Sequence, residues 1–413
     1  GQKRLDRKGE GMLSLKRIEA AADRIRPSIY ESPLVHSKTL SRLTGNSIFL
    51  KLENLQMTGS FKERGALNRI LTMTESERRQ GVIAASAGNH GQGVAYHAAY
   101  RGIPAQIWMP RSTPLIKLTA TRGYGADIVL HGDNYDETCA AAVERSIQRN
   151  ATFIHPFDDD EVIAGQGTLG LELLAQNPNL DVIVAPVGGG GLIGGVGCAV
   201  KGRNPKVEIV GVQTSRLPSM KAALEQDNPV ELPAQSTLAD GIAVRRAGTR
   251  TLPLVRAYVD RIVTVDEDDI AAAILMLLEN EKTLAEGAGA IALAAVLQAR
   301  TGHSGKNIAV LVSGGNLDVN LLSRIIEQGM VRDGRRLRLC VRLSDHPGAL
   351  ERLASVIAKE GANIVETSYN RAHYGVGLRE AAIDITMETR GRDHAMTLLA
   401  ALTGSCYEFS LVE

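Results

Sequence analysis

From about Ser47 onward, short aliphatic and β-branched runs alternate with longer polar segments of helical period. This alternation predicts a parallel β-sheet with helices on both faces, an α/β fold. The runs predicted as strands are residues 47–52, 82–85, 105–109, 126–130, 181–186, 207–212 and 307–312. Since ligands in such folds bind beyond the carboxyl ends of the strands, polar motifs at those ends are the first candidates for a site.

The pattern changes after residue 331, where the charged sequence RDGRR (residues 332–336) predicts a linker. Beyond it, strands are predicted at residues 337–343, 362–370, 379–386 and 406–412, with helices at 347–360 and 393–402. This βαββαβ order is typical of a ferredoxin-like domain. We therefore expect a polar N-terminal extension (1–11), a main domain (12–331), the linker (332–336) and a small C-terminal domain (337–413) with a regulatory or assembly role.

Charge and cysteine usage narrow the class of partner. The 413 residues carry 47 Lys and Arg against 46 Asp and Glu, so no basic excess favours a nucleic-acid partner, and a small molecule is expected instead. The four cysteines have no paired spacing, which predicts reduced thiols and a cytoplasmic location rather than disulfides or a zinc site. No run approaches the roughly 20 apolar residues of a membrane-spanning helix, and no signal-peptide pattern is expected.

A lysine occupies an unfavourable position in residues 58–66, TGSFKERGA. Ser60 and Glu63 have capping-box spacing, which predicts that a helix starts at Ser60 and that Lys62 lies in its first turn. The positive end of the helix dipole disfavours a cation there by up to about 1 kcal/mol. The same field lowers the pKa of the amine, as nucleophilic catalysis requires. A solvated lysine beside an ordinary cap is the alternative.

A second motif, SAGNHGQG (residues 86–93), directly follows the predicted strand 82–85. Backbone amides in a strand-to-helix loop form an anion pocket, and the glycines let a ligand approach closely. A substrate carboxylate fits such a pocket. The alternative is a plain glycine-rich turn in which Asn89 adopts a left-handed conformation and His90 caps a helix.

A third motif, VGGGGLIGG (residues 187–195), follows the predicted strand 181–186. Four successive glycines allow several N–H groups to converge on a phosphate. Gly189, Gly191 and Gly194 also match the dinucleotide pattern G-x-G-x-x-G. That fingerprint needs an acidic residue at the end of the next strand, where this chain has Gln213. A single phosphate is therefore favoured over a nicotinamide dinucleotide.

The fourth motif, SGGN (residues 313–316), follows the strand predicted at 307–312. Its hydroxyl can face a flat ligand, although a serine turn explains it equally well. None of the four motifs decides the chemistry alone. Together they place an activated lysine, an anion pocket, a phosphate loop and a hydroxyl at strand ends of one alternating sheet, which are the parts of a pyridoxal phosphate site.

In combination and order, these four motifs resemble the serine/threonine dehydratase family over about residues 13–330. The sequence DHPGAL (residues 345–350), in its βαββαβ frame, is similar to an ACT domain, an amino-acid-sensing module. The resemblance implies a two-lobed catalytic domain of the pyridoxal phosphate fold type II, similar to the tryptophan synthase β chain, and a ferredoxin-like regulatory domain. It also implies deamination of L-threonine to 2-oxobutanoate and of L-serine, an amino-acid effector such as isoleucine or valine, and a homodimer or homotetramer.

The resemblance also assigns roles to individual residues. It implies that Lys62 carries the cofactor, that Asn89 contacts the ring hydroxyl and that Ser313 contacts the pyridine nitrogen. The remaining cofactor contacts that it implies are Phe61, Gly188, Gly189, Gly190, Gly191 and Leu192. The substrate carboxylate is expected at Ser86, Gly88, Asn89 and His90. Glu286 lies near the cofactor by the same likeness, or is an ordinary acid at a helix N-terminus.

Departures from similar families narrow the reaction. Serine racemases carry a serine base where this chain has Ala87, so racemisation is disfavoured. Metal-containing relatives place carboxylates where this chain has Gln213 and Ser219, so no divalent ion is expected there. Two alternatives stay open: L-serine or 3-hydroxyaspartate as the main substrate, because a methyl group is worth only about 1 to 3 kcal/mol, and a non-catalytic amino-acid sensor.

Overall fold

The computed structural model describes residues 13–370 and 379–412. The expected extension, residues 1–11, lies outside this range. The chain divides into two compact units between Leu317 and Asp318. Residues 319–332 therefore belong to the second unit. The linker expected at residues 332–336 stays a prediction. Within the described ranges, no helix has the length and apolar character needed to cross a membrane.

The first unit alternates strands and helices throughout. Its strands are β1 (Leu34–Ser37), β2 (Ser47–Leu52), β3 (Val82–Ala85), β4 (Ala105–Met109), β5 (Asp127–Leu130), β6 (Thr152–Phe153), β7 (Val182–Pro186), β8 (Glu208–Thr214), β9 (Arg261–Val265) and β10 (Asn307–Val312). Its helices are α1 (Leu15–Ile25), α2 (Lys38–Thr44), α3 (Lys62–Leu71), α4 (Glu75–Gln80), α5 (Asn89–Ala99), α6 (Leu115–Gly123), α7 (Tyr135–Arg149), α8 (Asp160–Gln176), α9 (Gly191–Arg203), α10 (Ser219–Glu225), α11 (Thr251–Tyr258), α12 (Glu267–Asn280) and α13 (Gly287–Leu297).

These strands form two sheets. The large sheet has the order β1-β2-β10-β7-β8-β9, parallel except for β1, and the small sheet has the order β5-β4-β3-β6 and is wholly parallel. The α/β class and the two-lobed fold are confirmed. The expectation of one alternating sheet is wrong, because β3 lies in the small sheet whereas β7 and β10 lie in the large one. Local patterns predict strands but not which strands pair.

Glycines bring three helices into backbone contact. A Cβ on Gly165 would lie 2.5 Å from the carbonyl oxygen of Arg64, and one on Gly195 would lie 2.4 Å from that of Ile163. Side chains at these positions would force the helices apart. Helix α8 therefore packs closely against both α3, which begins at Lys62, and α9, which begins within the glycine loop.

A buried ion network also fixes the position of helix α3. Arg64 is fully buried and makes a two-bond contact with Glu53, at 2.8 Å for each bond. It also donates to Glu172, which accepts from Lys51 at 2.7 Å. Because a buried charge without a partner costs several kcal/mol, this network strongly favours one placement of α3. Arg64, two residues after Lys62, thus anchors the helix that carries this lysine.

The second unit contains helix α14 (Val319–Arg332), then β11 (Arg336–Ser344), α15 (Ala349–Lys359), β12 (Asn363–Asn370), β13 (Glu380–Glu388), α16 (Arg392–Gly404) and β14 (Glu408–Leu411). The sheet has the order β12-β13-β11-β14 and is antiparallel. Its alternate residues, such as Leu339 and Ile385, are buried beneath the two helices. The predicted ferredoxin-like βαββαβ fold is confirmed.

Candidate active site

Lys62 is the first residue of helix α3, so the helix starts two residues later than predicted. Ser60 lies before it, paired with Gly314 in an isolated bridge, and its hydroxyl accepts from the backbone N–H of Lys62 at 3.3 Å. The predicted capping box is wrong. Glu63 instead accepts from the backbone N–H and the hydroxyl of Thr58, at 3.0 and 2.8 Å.

The amine of Lys62 is directed into the protein. Its Nζ donates to the carbonyl oxygen of Pro156 at 2.9 Å and lies 5.5 Å from the ring centroid of Phe61. Burial lowers the pKa of Lys62 to about 8, and the nearby carboxylate of Glu286 opposes this shift. The predicted depression of the lysine pKa is supported, with burial as its main cause, and the neutral amine needed for nucleophilic chemistry is accessible.

The glycine loop, residues 188–191, follows β7 of the large sheet and lies close to Lys62. Gly190 has a φ of +95° and is the N-cap of α9, a conformation that favours glycine. A Cβ on Gly189 would lie 2.3 Å from the ring of Phe157, and the hydroxyl of Thr251 donates to the carbonyl of Gly189. The loop is therefore closely fixed, and the first amides of α9, including that of Leu192, have no carbonyl one turn earlier to bind.

Lys62 and the glycine loop share one pocket. It is lined by Phe61, Lys62, Pro156, Phe157, Gln166, Pro186, Gly188, Gly189, Gly190, Gly191, Leu192, Gly241, Ile242 and Val244. An amine whose pKa is near 8 thus lies in a cavity with a helix N-terminus that can bind an anion. This arrangement fits a phosphorylated aldehyde, with its aldehyde at the amine and its phosphate at the amides.

The Ser86 loop, residues 86–89, directly follows β3 of the small sheet. The backbone N–H of Gly88 donates to the hydroxyl of Ser86 at 3.2 Å, and α5 starts at Asn89, which is helical rather than left-handed. His90 is buried, and its Nε2 is 2.8 Å from the carbonyl oxygen of Ile154. Burial, and then the charge of Lys62, lowers the pKa of His90 to about 3. His90 is therefore neutral, and its ring faces the end of β6 rather than capping the helix.

The Ser313 loop is joined to the Lys62 segment through the backbone. The N–H of Phe61 donates to the carbonyl oxygen of Ser313 at 3.0 Å, and the N–H of Gly315 donates to that of Gly59 at 2.9 Å. The hydroxyl of Ser313 is buried and donates to the carbonyl of Ala288 at 3.2 Å. The structure thus places Ser313 next to the segment that carries Lys62.

Glu286 belongs to the same region. It is the N-cap of α13, is 5% exposed, and accepts from Asn89 Nδ2 at 2.5 Å. Burial raises the pKa of Glu286 to about 7, with Asp240 adding to this and the Asn89 hydrogen bond opposing it. Glu286 contributes to the electrostatic environment of Lys62, so its place near the site follows from the structure as well as from likeness.

Pro156 and Phe157 are site residues that sequence reasoning missed. They follow β6, a strand of only two residues, which is too short to give a periodic pattern. The sequence HPFD (residues 155–158) carries a weak signal, since polar and ring side chains follow an apolar pair. Asp158 accepts from the backbone N–H of Arg250 at 2.8 Å, which joins this segment to the N-terminus of α11.

Gln213 and Ser219, which stand where metal-containing relatives carry carboxylates, form hydrogen bonds within the protein. Gln213 donates to the carbonyl of Val187 at 3.2 Å and accepts from the N–H of Lys221 at 3.0 Å. The hydroxyl of Ser219 donates to the carbonyl of Val244 at 2.6 Å. Neither offers the carboxylate oxygens that Mg²⁺ or Ca²⁺ prefers, and no acidic, histidine and cysteine cluster suited to a metal occurs within residues 13–370 and 379–412.

Comparison with known proteins agrees with this geometry. The sequence profile of the family described as pyridoxal-phosphate dependent enzyme matches residues 25–314. An L-threonine ammonia-lyase of Thermotoga maritima is 46% identical over 97% of this chain and 100% of its own length. One from Geobacter sulfurreducens is 47% identical over 96% and 98%.

Solved structures show the same architecture. Threonine deaminase isoform 2 from Solanum lycopersicum, in its processed form, has a TM-score of 0.73 at 37% identity, covering 77% of this chain and 87% of its own. Maize serine racemase also has a TM-score of 0.73, at 34% identity, covering 78% and 98%.

Proposed function

Because the chain belongs to the family of pyridoxal-phosphate dependent enzymes, we propose that it deaminates L-threonine to 2-oxobutanoate and ammonia, and L-serine to pyruvate. Relatives similar over nearly the whole chain are L-threonine ammonia-lyases. The observation that carries the proposal is the partly buried amine of Lys62, with a pKa near 8, in one pocket with the amides of the glycine loop. The chain is a lyase that uses pyridoxal phosphate.

The roles proposed for the cofactor contacts follow from this pocket. Lys62 holds the cofactor covalently, and the amides of residues 188–192 bind its phosphate at the positive end of α9. Ser313 and Asn89 contact the ring nitrogen and the ring hydroxyl. Since the hydroxyl of Ser313 is neutral, it does not hold the ring nitrogen protonated as an aspartate would.

Bound pyridoxal phosphate withdraws electrons from the substrate Cα and makes its proton acidic. The freed amine of Lys62 accepts that proton, and a pKa near 8 leaves a substantial neutral fraction at physiological pH. The β-hydroxyl would take up one proton and leave as water, and the amine of Lys62 would displace the enamine from the cofactor; the free enamine hydrolyses in water to the 2-oxo acid and ammonia. Phe157 and Phe61 line the pocket around the amine.

We propose the Ser86 loop as the site of the substrate carboxylate. Ser86, Gly88, Asn89 and His90 lie at the N-terminal end of α5, where backbone amides attract an anion. The neutral ring of His90 contributes no charge, so the backbone and the hydroxyl of Ser86 supply the binding. Ala87 provides no acid or base for the opposite face of the substrate, which argues against racemisation.

We further propose that the second unit binds an amino-acid effector near residues 345–350, and that the protein forms homo-oligomers. This loop connects β11 to α15, and Gly348 is its left-handed N-cap with a φ of +84°. Gly348→Ala strains that conformation. We expect it to abolish any effect of isoleucine or valine on activity while leaving the basal kcat unchanged. An unchanged effector response would refute the location.

A Lys62→Ala variant tests the proposed function. We expect the visible cofactor absorbance to be lost and kcat with L-threonine to fall by at least about 10³-fold, because the residue both holds the cofactor and moves the proton. The exposed Lys206→Ala variant is the matched control and should keep both properties. A Lys62→Ala protein with normal absorbance and turnover would refute the assignment. A wild-type protein without the absorbance would favour a non-catalytic sensor.

A further inference from the structure

The side-chain amide of Asn89 is bound on both sides. Asn316 Nδ2 donates to Asn89 Oδ1 at 2.7 Å, and Asn89 Nδ2 donates to Glu286 Oε1 at 2.5 Å. Three side chains from three separate loops thus form one chain of hydrogen bonds beside Lys62. An amide can flip and exchange its oxygen and nitrogen, so which end faces the cofactor depends on its neighbours.

The Asn316 end of this chain fixes its direction. Asn316 Nδ2 also donates to the backbone carbonyl of Thr58 at 2.8 Å, and a carbonyl oxygen can only accept. The nitrogen of Asn316 must therefore face Thr58, and its second hydrogen goes to Asn89. At the other end, Glu286, whose pKa is raised to about 7, accepts when ionised and can donate when protonated, so it does not fix the amide by itself. Because Asn316 donates, Asn89 must present Oδ1 to it, which places Asn89 Nδ2 toward Glu286.

The Lys62 segment is shaped around Asn316. Gly59 has a φ of +77°, and a Cβ there would lie 2.6 Å from Asn316 Oδ1. The backbone N–H of Gly315 donates to the carbonyl of Gly59 at 2.9 Å. The side chain of Asn316 is therefore held in place by the same loop that precedes Lys62, although the residue is exposed overall.

We propose that Asn316 is a positioning residue, which locks the amide of Asn89 so that the second hydrogen of Asn89 Nδ2 is directed at the ring hydroxyl of the cofactor. The inference rests on the proposed function, since it assumes that Asn89 contacts that hydroxyl. Asn316 acts through Asn89 and has no contact of its own with the cofactor.

Asn316→Asp is the sharpest test, because it keeps the shape and removes the donor. The new carboxylate repels the carbonyl of Thr58 and favours a flipped Asn89, whose oxygen then faces Glu286. We expect the apparent Kd of the apoprotein for pyridoxal phosphate, measured by absorbance titration, to rise about tenfold, and the absorbance maximum to shift. Asn316→Ala, which leaves Asn89 free rather than flipped, should raise the Kd about threefold.

Asn54→Asp is the matched control. Asn54 Nδ2 also donates to a backbone carbonyl, that of Leu284 at 2.9 Å, and to the hydroxyl of Thr283 at 2.7 Å. Asn54→Asp also removes a side-chain amide donor, but this donor does not bind Asn89. We expect a Kd within about twofold of wild type, even where the melting temperature of the apoprotein falls as much as in Asn316→Asp.

Coupling to Asn89 separates this role from a general structural one. In an Asn89→Ala background, Asn316→Asp should change the Kd by less than about twofold, since its target is gone. A Kd and spectrum of Asn316→Asp and Asn316→Ala equal to wild type, or effects that add fully to those of Asn89→Ala, would overturn the inference. A wild-type protein that binds no pyridoxal phosphate would instead overturn the proposed function, and the inference with it.

Discussion

The glycine loop and the Ser86 loop have the same construction and different surroundings. Each follows a parallel strand, is rich in glycine and ends in a helix N-terminus. In the glycine loop, a Cβ on Gly189 or Gly190 would collide with Phe157 or Met220 at 2.5 Å or less. In the Ser86 loop, a Cβ on Gly88 has no atom within 4 Å.

This difference separates a permanent ligand from a transient one. Residues 189–192 are buried, whereas residues 86–89 are only partly buried. A closely fitted anion site needs little reorganisation, which suits the phosphate that we propose there, but it would admit and release a substrate slowly. The open loop suits a carboxylate that binds and leaves at every turnover. We therefore propose that the two similar motifs serve different ligands because different residues pack against them.

Among the changes that test this comparison, a side chain added in the glycine loop should have the largest effect. Gly189→Ala places a methyl group 2.3 Å from the ring of Phe157, so the ring or the loop must shift. We expect the apparent Kd for pyridoxal phosphate to rise at least about 30-fold, measured by absorbance titration of the apoprotein. Gly102→Ala, in open space with a φ of +64°, controls for a glycine substitution as such. Unchanged cofactor affinity would contradict a closely fitted phosphate site.

An intermediate effect is expected from pH. Capture of the cofactor requires the neutral amine of Lys62, whose pKa burial lowers from 10.5 to about 8. The rate of cofactor capture by the apoprotein should therefore rise about fivefold from pH 7 to pH 8 and level off above pH 9. Stopped-flow absorbance measures this rate. A rate that keeps rising tenfold per unit through pH 10 would show that the amine is solvated. The neutral His90 should add no step between pH 5 and pH 9, since its pKa is lowered to about 3.

The smallest effect should come from the open loop. Gly88→Ala has space for its methyl group and a negative φ of −137°, so cofactor affinity should stay within about twofold of wild type. We expect KM for L-threonine to rise about threefold, because the added methyl group narrows the path to the amides of α5. Steady-state assays of 2-oxobutanoate formation give both constants. A larger loss of cofactor affinity than in Gly189→Ala would reverse the comparison.

Sequence patterns predicted the fold class and several strands at their observed bounds. Residues 47–52, 82–85, 105–109 and 307–312 are strands as predicted, since continuous buried runs bounded by turns give a strong local signal. The division into two sheets could not be predicted from the residues alone, because strand order depends on long-range pairing. The resemblance to a two-lobed family supplied it.

The candidate site could be predicted where it depends on local motifs, and was missed where it depends on distant contacts. Lys62 and the glycine loop carry sequence signals of their own, and the structure brings them into one pocket. Glu63 was misassigned because spacing cannot tell which backbone N–H a carboxylate will meet. Phe157 follows a two-residue strand, and Glu286 meets Asn89 across 197 residues of sequence, so neither contact leaves a local pattern.

The most direct test of the central claim is peptide mapping of the active protein after borohydride reduction. The reduction makes the bond between an amine and the cofactor permanent, so mass spectrometry can locate it. We expect the added mass of the reduced cofactor on Lys62, and on no other lysine at comparable yield. Fully active protein in which the Lys62 peptide is unmodified, or in which another lysine carries the cofactor, would contradict the account.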